Sequence, residues 1–204
     1  MSETNKGDDI RKAASHCFAH YGFAKTTMDD IGKMVGLNKA SLYYYYKNKE
    51  AIFCEIIRQE SEFFLDSLKG KVAQIMLWHE KIQTYILERQ RHFQKMVNLH
   101  KLSIKTSKQL QFQPLFLDLL KRFNIQETQI ICDILDQAMG KKQIQKIDTL
   151  KTARIILSVS YGIKQQQMLL ENDNLTLARF DFEKVEEQTR FAVSLILNGL
   201  KENP

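Results

Sequence analysis

The segment 39–49 carries the side chains that are best suited to chemistry with a partner molecule. It begins Lys-Ala-Ser-Leu, continues with four consecutive tyrosines at 43–46, and ends Lys-Asn-Lys. Lysine ammonium groups can reach guanine O6, guanine N7 or a phosphate, and serine and tyrosine hydroxyls can donate to phosphates or base edges. The segment is therefore a candidate surface for binding double-stranded DNA.

A packed aromatic cluster is the alternative explanation of the four tyrosines. Successive residues of a helix spread around its whole circumference, so four consecutive positions cannot all be buried on one side. Some of the tyrosine rings must be exposed or bound to a partner. We predict that a short helix beginning at Lys39 faces outward.

Two short predicted helices hold this segment in place. Thr27 stands as an N-cap before two aspartates in the first turn of one helix, and Gly36 ends that helix. Asn38 then caps the helix that begins at Lys39. Two helices joined by so short a turn have the dimensions of a helix-turn-helix, whose second helix enters the major groove with its N-terminal part.

The rest of the chain is also predicted to be helical. Apolar residues recur three and four positions apart, and 204 residues contain only two prolines and eight glycines to interrupt helices. Gly70 and Gly140 mark predicted breaks, while Asp148 and Asp181 are predicted caps of two long final helices. No alternation typical of strands is present.

The sequence therefore predicts an all-α fold of nine to ten helices. Residues 1–48 are expected to form a three-helix, helix-turn-helix DNA-binding domain. Residues 49–204 are expected to form a helical domain for ligand binding and dimerisation.

Composition restricts the class of protein further. The formal net charge of +6 fits a polyanionic partner, although an excess of this size is common in other proteins. The three cysteines lie far apart among apolar residues, which is typical of reduced thiols. No apolar run approaches the ~18 residues of a membrane span. We expect a cytoplasmic protein without a membrane segment.

Other chemistry-bearing patterns are weaker. His16 and His20 lie four apart, a spacing that can bind zinc, but no third ligand is apparent and surface histidines are the better interpretation. A helical-bundle enzyme is an alternative for which we find no nucleophile–base pair, phosphate loop or paired carboxylates. We expect no catalytic residue, no metal and no cofactor.

The run from Ile10 to about Phe53 resembles the DNA-binding region of the TetR family of bacterial repressors. The matching segments are Ala-Ala…Phe…Tyr-Gly, Thr-Thr-Met-Asp-Asp-Ile, and Lys-Ala-Ser-Leu-Tyr-Tyr-Tyr-Tyr followed by Lys-Asn-Lys-Glu. Two departures are Gly32, where Ala is usual and which should loosen its helix, and Tyr46, where Phe is usual and whose hydroxyl needs a partner.

The resemblance implies phosphate contacts from Thr27, Ser41, Tyr43 and Lys49, and base-edge contacts from other residues of the same segment. The complete predicted DNA-binding set is Thr27, Lys39, Ala40, Ser41, Tyr43, Tyr44, Tyr45 and Lys49.

The resemblance also implies an effector cavity among the central helices and a homodimer formed by the last two helices. Flexible and aromatic residues favour an apolar or amphipathic small-molecule effector, although core packing explains most of them as well. The predicted pocket set is Phe63, Trp78, Arg89, His92, Phe93, Met96, His100, Phe112, Phe116 and Phe123. The predicted dimer interface, on helices 148–170 and 182–200, is Ile156, Val159, Ile163, Ala192, Val193 and Ile196.

These patterns predict a transcriptional regulator, a repressor that its effector releases from a pseudo-palindromic operator. Two alternatives stay open within this prediction. A monomer could bury both apolar sides of its last helices internally. A DNA-binding architectural or division-control protein could share the scaffold without an effector, and a filled core would favour it.

Overall fold

The computed structural model describes residues 3–111, 113–171 and 177–201. Over these residues the chain forms nine α-helices and one short 3-10 helix, with an isolated β-bridge between Ile144 and Lys201 instead of strands. The predicted all-α class is confirmed. The helices are α1 Glu3–Tyr21, α2 Met28–Val35, α3 Lys39–Tyr45, α4 Lys49–Ala73, α5 Trp78–Leu99, α6 Ile104–Gln111, α7 Pro114–Gly140, α8 Thr149–Leu170 and α9 Phe182–Asn198.

Helices begin at the capping residues that the sequence indicates. At the start of α2, Thr27 Oγ1 accepts from Asp30 N at 3.2 Å and Thr27 N donates to the Asp30 carboxylate at 2.9 Å. At the start of α3, Asn38 Oδ1 accepts from Ser41 N at 2.8 Å. Each cap satisfies a backbone N–H that the helix leaves open. Three further caps act in the same way: Asn48, Asp148 and Asp181.

α1 begins at Glu3, and an ion pair between Asp8 and Arg11 lies in its early turns. One helix boundary differs from the prediction. α4 continues through Gly70, where the sequence predicts a break. Leu68 and Val72 flank this glycine and are both buried in a hydrophobic core. Their burial outweighs the cost of about 1 kcal/mol that glycine imposes inside a helix.

The described residues form two compact units. Unit 1 comprises those of Met1–Phe63, Gln94–Leu119 and Asp173–Arg179, and unit 2 comprises those of Phe64–Phe93, Leu120–Asn172 and Phe180–Pro204. The predicted domain boundary between residues 48 and 49 stays a prediction, because each unit collects segments from several parts of the chain.

An aromatic triad lies in the core of unit 1. The ring centroids of Phe18, Phe23 and Phe53 lie between 4.8 and 5.5 Å apart, and all three side chains are buried. This packing joins α1, the loop after it and the start of α4. It therefore supports the helices that carry the candidate DNA-binding segment.

The core of unit 2 consists of side chains from α4, α5, α7, α8 and α9. Its largest fully buried members are Tyr85, Ile82, Ile86, Ile131 and Leu135. Among the described residues, no helix combines the length and the apolar composition that a bilayer crossing requires.

Candidate nucleic-acid interface

The turn between α2 and α3 is closed by backbone hydrogen bonds. Gly36 has a φ of 70°, in the left-handed region that favours glycine, and Leu37 N donates to Gly32 O at 2.8 Å. A Cβ on Gly32 would lie 2.9 Å from the carbonyl oxygen of Leu37. An alanine at this position would therefore require the turn to shift, and the expectation that Gly32 loosens α2 stays a prediction.

The inner side of α3 is anchored by one leucine. Leu42 is fully buried, as is Ile31 of α2, and Leu42 Cδ2 lies 3.7 Å from the position that a Cβ on Gly32 would take. Burial of a leucine contributes about 1.5–3 kcal/mol, which fixes the rotation of this short helix about its axis.

The outer side of α3 is exposed. Lys39, Ala40, Tyr43 and Tyr44 are all exposed, and the Tyr44 side chain is 76% accessible. Ser41 is half-buried. The predicted outward display of this helix is confirmed, whereas contact of these groups with DNA stays a prediction.

The four tyrosines divide into two pairs with different surroundings. Tyr43 and Tyr44 are exposed, and Tyr45 is half-buried with its ring 5.3 Å from that of Tyr44. Tyr46 accepts a hydrogen bond from Arg11 Nη1 of α1 at 2.8 Å through its hydroxyl oxygen. This bond is the partner that the sequence required for the Tyr46 hydroxyl.

Two polar contacts lie beside the N-terminal end of α3. Lys39 Nζ lies 3.5 Å from the Asp29 carboxylate of α2, and both side chains are more than half exposed. Such an exposed pair is weak, so the ammonium can exchange its partner for a phosphate or a base. The Thr27 hydroxyl and backbone hydrogen bonds lower the pKa of Asp30, which keeps the cap of α2 ionised.

Lys49 has a different place from the one predicted. Its Nζ donates to the carbonyl oxygens of Phe23, Ala24 and Thr26 at 2.8, 3.1 and 2.8 Å, and it lies 4.8 Å from the Phe23 ring centroid. Burial lowers the pKa of this ammonium, and the Glu50 carboxylate opposes the shift. In the free protein the three carbonyls occupy all three donors of this ammonium, and its contact with a phosphate stays a prediction.

The end of α5 supports the same region from another side. His100 O accepts from Phe23 N at 3.2 Å, and Lys101 Nζ donates to His20 O at 2.8 Å. The fully buried His100 ring lies 5.1 Å from the Phe53 ring. Sequence reasoning missed this support, since spacing along the chain does not reveal a contact so distant in sequence.

The predicted effector-pocket residues are dispersed between the two units. Phe63, Met96, His100 and Phe116 belong to unit 1, and the Phe63 side chain is 80% exposed. Phe112 lies outside the described residues. The members in unit 2 are Trp78, Arg89, His92, Phe93 and Phe123.

Within unit 2 these residues have separate surroundings. Trp78 and Phe123 pack in or against the hydrophobic core. The His92 ring stacks on Phe64 at 4.0 Å, and Arg89 forms an ion pair with Glu127. Contact of the predicted pocket residues with an effector stays a prediction.

The predicted dimer residues need correction at two positions. Ile156 and Val193 lie in the core of unit 2 at 0% and 1% exposure, so a partner copy could not reach them. Val159, Ile163, Ala192 and Ile196 are half-buried. The exposed apolar side chains on these two helices are Leu150, Ile155, Leu169, Leu170, Phe191 and Leu195.

The histidine pair offers no metal centre. The rings of His16 and His20 stack with centroids 6.3 Å apart. Within the part of the chain that the structure describes, no three His, Cys, Asp or Glu side chains are grouped to hold an ion.

An outward helix, fixed by one buried leucine and a closed turn on a capped partner helix, defines a helix-turn-helix protein. The family model described as "Bacterial regulatory proteins, tetR family" matches residues 10–56. The chain is 43% identical over 61 residues to the biofilm operon icaADBC HTH-type negative transcriptional regulator IcaR of Staphylococcus epidermidis, which covers 30% of this chain and 33% of that protein.

Two further comparisons agree. The HTH-type transcriptional regulator RutR of Escherichia coli is 35% identical over 61 residues, 30% of this chain and 29% of that protein. The matches thus span about a third of these relatives. The crystal structure of a transcriptional regulator from Cytophaga hutchinsonii has a TM-score of 0.79 at 25% identity, covering 95% of this chain and 97% of that one. The match to the TetR family model is thus confined to residues 10–56, whereas the likeness in fold to the Cytophaga hutchinsonii regulator extends over almost the whole chain.

Proposed function

We propose that this protein is a transcriptional repressor that binds a two-fold operator as a homodimer and is released by a small molecule. The exposed polar face of α3, held on a closed helix-turn-helix, carries this proposal. The printed name of IcaR, a negative transcriptional regulator, supports repression as the direction of control.

The N-terminal half of α3 supplies the proposed base contacts. Lys39 reaches guanine O6 or N7, and Ala40 allows close approach and touches a thymine methyl group. Thr27, Ser41 and Tyr43 lie beside them and donate hydroxyl groups to phosphates. Phosphate contacts set the position of the helix in the groove, and the base contacts select the sequence.

A second copy of α8 and α9 is the proposed occupant of the apolar side of unit 2. Ile155 and Leu150 line an open groove of about 350 Å³ on α8, together with half-buried Val159. On α9, Phe191 and Leu195 lie one turn apart and are 67% and 58% exposed. Side chains of this kind on both final helices favour a self-complementary interface over a monomer.

Release by an effector is proposed as a shift between two conformations of the dimer. The effector would stabilise a spacing of the two α3 helices that no longer matches successive major grooves. The ligand can shift this equilibrium only by its difference in affinity for the two conformations.

Selection of bound DNA from a random pool tests the proposal most directly. A two-fold consensus with half-sites one helical turn apart, or a multiple of it, is expected. Lys39→Ala and Tyr43→Ala should then abolish retention of that DNA in a gel-shift assay, while sedimentation still shows a dimer. Lys146→Ala removes an exposed lysine from unit 2 and is the matched control. Intact binding by both α3 variants would refute the assignment of the DNA-binding surface.

A further inference from the structure

Lys164 on α8 has an uncommon environment for a lysine. Its Nζ lies 3.9 Å from the ring centroid of Phe93 on α5 and 5.1 Å from that of Tyr161. Among the described residues it forms neither a hydrogen bond nor an ion pair. Two aromatic faces are thus its only specific contacts in that part of the chain.

The neighbouring charges leave one positive charge uncompensated. Arg89 of α5 forms an ion pair with Glu127 of α7, and the hydroxyl of the fully buried Tyr85 lies 3.5 Å from the same carboxylate. Burial, and then the field of Arg89, lower the pKa of Lys164 to about 7, and Glu127 opposes this shift. When Lys164 is protonated, the group therefore contains two cations and one anion.

An ammonium without a counter-ion in such a place is destabilising. Lys164 is half-buried, and moving a charge even partly away from water is costly unless it is paired; contact with an aromatic face recovers only part of that cost. A carboxylate brought to Nζ would form a charge-assisted hydrogen bond and restore neutrality. Perturbed ionisable groups of this kind cluster at functional sites.

A second unsatisfied polar atom lies close by on the same helix pair. Gln90 of α5 donates through Nε2 to Thr189 Oγ1 at 2.7 Å and to Ser160 Oγ at 3.4 Å, whereas its Oε1 is buried without a partner. Ser160 is one helical turn before Lys164. The contact between α5 and α8 thus offers a cation for an anion and an acceptor for a neutral donor.

The surroundings of Lys164 are otherwise aromatic. The Phe93 ring meets that of Phe182 at 6.2 Å, and Phe182 meets Phe180 at 4.8 Å. Both of these latter side chains are more than nine-tenths buried. The Phe93 ring is half-buried, so its remaining accessible surface is the part that an apolar group attached to the bound anion would contact.

We propose that unit 2 binds the carboxylate of a small amphipathic molecule at Lys164, and that the apolar part of this molecule packs against the ring of Phe93. This inference rests on the proposed function, in which the molecule is the effector. One uncompensated charge matches a monoanion, so a carboxylate is favoured over a doubly charged phosphate ester. Lys164 is the residue that selects the charge, and Gln90 accepts a donor group where the molecule has one.

Calorimetric titration of the full-length protein tests the site. The probes are decanoate, 1-naphthoate and cholate, each paired with its neutral primary amide. At least one acid should bind more tightly than about 1 mM, and its amide should bind at least about tenfold more weakly. Amides that bind as tightly as the acids, or a complete absence of acid binding, would overturn the proposal.

Variants test whether binding of the acid depends on Lys164 or on the overall positive charge of the protein. Lys164→Met should weaken binding of the acid by about tenfold or more and leave binding of its amide unchanged. Lys164→Arg keeps the charge and should retain most of the affinity, which guards against a folding defect in the Met variant. Lys146→Met, at an exposed position, is the matched control. Equal affinity of the Met variant and the wild type for the acid would refute the assignment.

A gel shift on the selected operator distinguishes this site from the proposed function. An acid that binds through Lys164 and releases DNA supports both. An acid that binds through Lys164 without altering DNA retention supports the carboxylate site and contradicts the effector role. If acid and amide bind equally well and either one still releases DNA, the result contradicts the carboxylate site and leaves the proposed function standing.

Discussion

The exposed face of α3 in unit 1 and the Lys164 group in unit 2 use the same chemical group under opposite conditions. Lys39 lies in water beside the exposed Asp29, and Lys164 lies over aromatic rings. Water screens the first ammonium, so its proposed interaction with DNA should depend on salt. Water screens the second, half-buried ammonium less, so its charge is more costly and its protonation depends on pH near neutrality. An exposed lysine is thus sensitive to salt, and a half-buried lysine is sensitive to pH.

The largest expected effect comes from the buried side of the exposed helix. Leu42→Ala should lower the free energy of unfolding by about 2–5 kcal/mol, because it leaves a cavity beneath α3. Urea titration followed by circular dichroism measures the change. Tyr44→Ala, on the outer side of the same helix, is the control and should lower stability by no more than about 0.5 kcal/mol. Equal losses in the two variants would contradict the division of α3 into an inner and an outer side.

Two glycines differ in the space that surrounds their backbone, and alanine substitutions at both test this difference. Gly32→Ala should destabilise the protein by about 1–3 kcal/mol, because its Cβ would lie 2.9 Å from the Leu37 carbonyl oxygen. Gly70→Ala should instead stabilise it by up to about 1 kcal/mol, since α4 continues there and nothing lies within 4 Å. Thermal unfolding of both variants gives the two signs. A stabilised Gly32→Ala protein would show that the turn does not require glycine.

Lys164 should make the free energy of unfolding depend on pH. The pKa of Lys164 is about 7 in the folded protein and 10.5 ordinarily, so the unfolded chain holds more protons between these values. The free energy of unfolding should therefore rise with pH from about 7 to 10, by about 1.4 kcal/mol per unit at most. Lys164→Met should lack this contribution and be the more stable protein at neutral pH. The difference between the two pH profiles isolates Lys164 from other titrating groups, and parallel profiles would contradict its burial.

The smallest expected effect is on the salt dependence of DNA binding. A conservative change, Lys39→Gln, should leave the slope of log affinity against log salt unchanged and relax the preference for guanine, because Lys39 is proposed to contact a base. Fluorescence anisotropy on the selected operator measures both quantities. A slope reduced by about one would instead assign the Lys39 ammonium to a phosphate. Lys146→Gln should leave both quantities unchanged.

Sequence patterns predicted the local features of the molecule and missed several distant ones. Thr27, Asn38 and Asp148 could be recognised as caps because a cap depends on a few adjacent residues. The three carbonyls around Lys49 could not be recognised, since they lie 23 to 26 residues away. Helical periodicity located the apolar sides of α8 and α9, but it could not tell a core side chain from an interface one. Ile156 was assigned to the interface for that reason and lies in the core.

Lys164 escaped notice for a related reason. A single lysine beside glutamines near the end of an apolar helix has the pattern of a solvated position. Only the structure brings Phe93 against its ammonium, and Arg89 and Glu127 into its field. The aromatic residues of the middle helices were counted as one pocket because periodicity does not tell which helices face each other.

The three hydrogen bonds of Lys49 bear on which positions of this protein can vary during evolution. Its ammonium donates hydrogen bonds to the loop carbonyl oxygens of residues 23, 24 and 26, and none of these three bonds involves a side chain of α3. The outer positions of α3 can therefore vary without disturbing the frame that holds them. With DNA bound as proposed, substitutions at those positions alone would give new operator preferences.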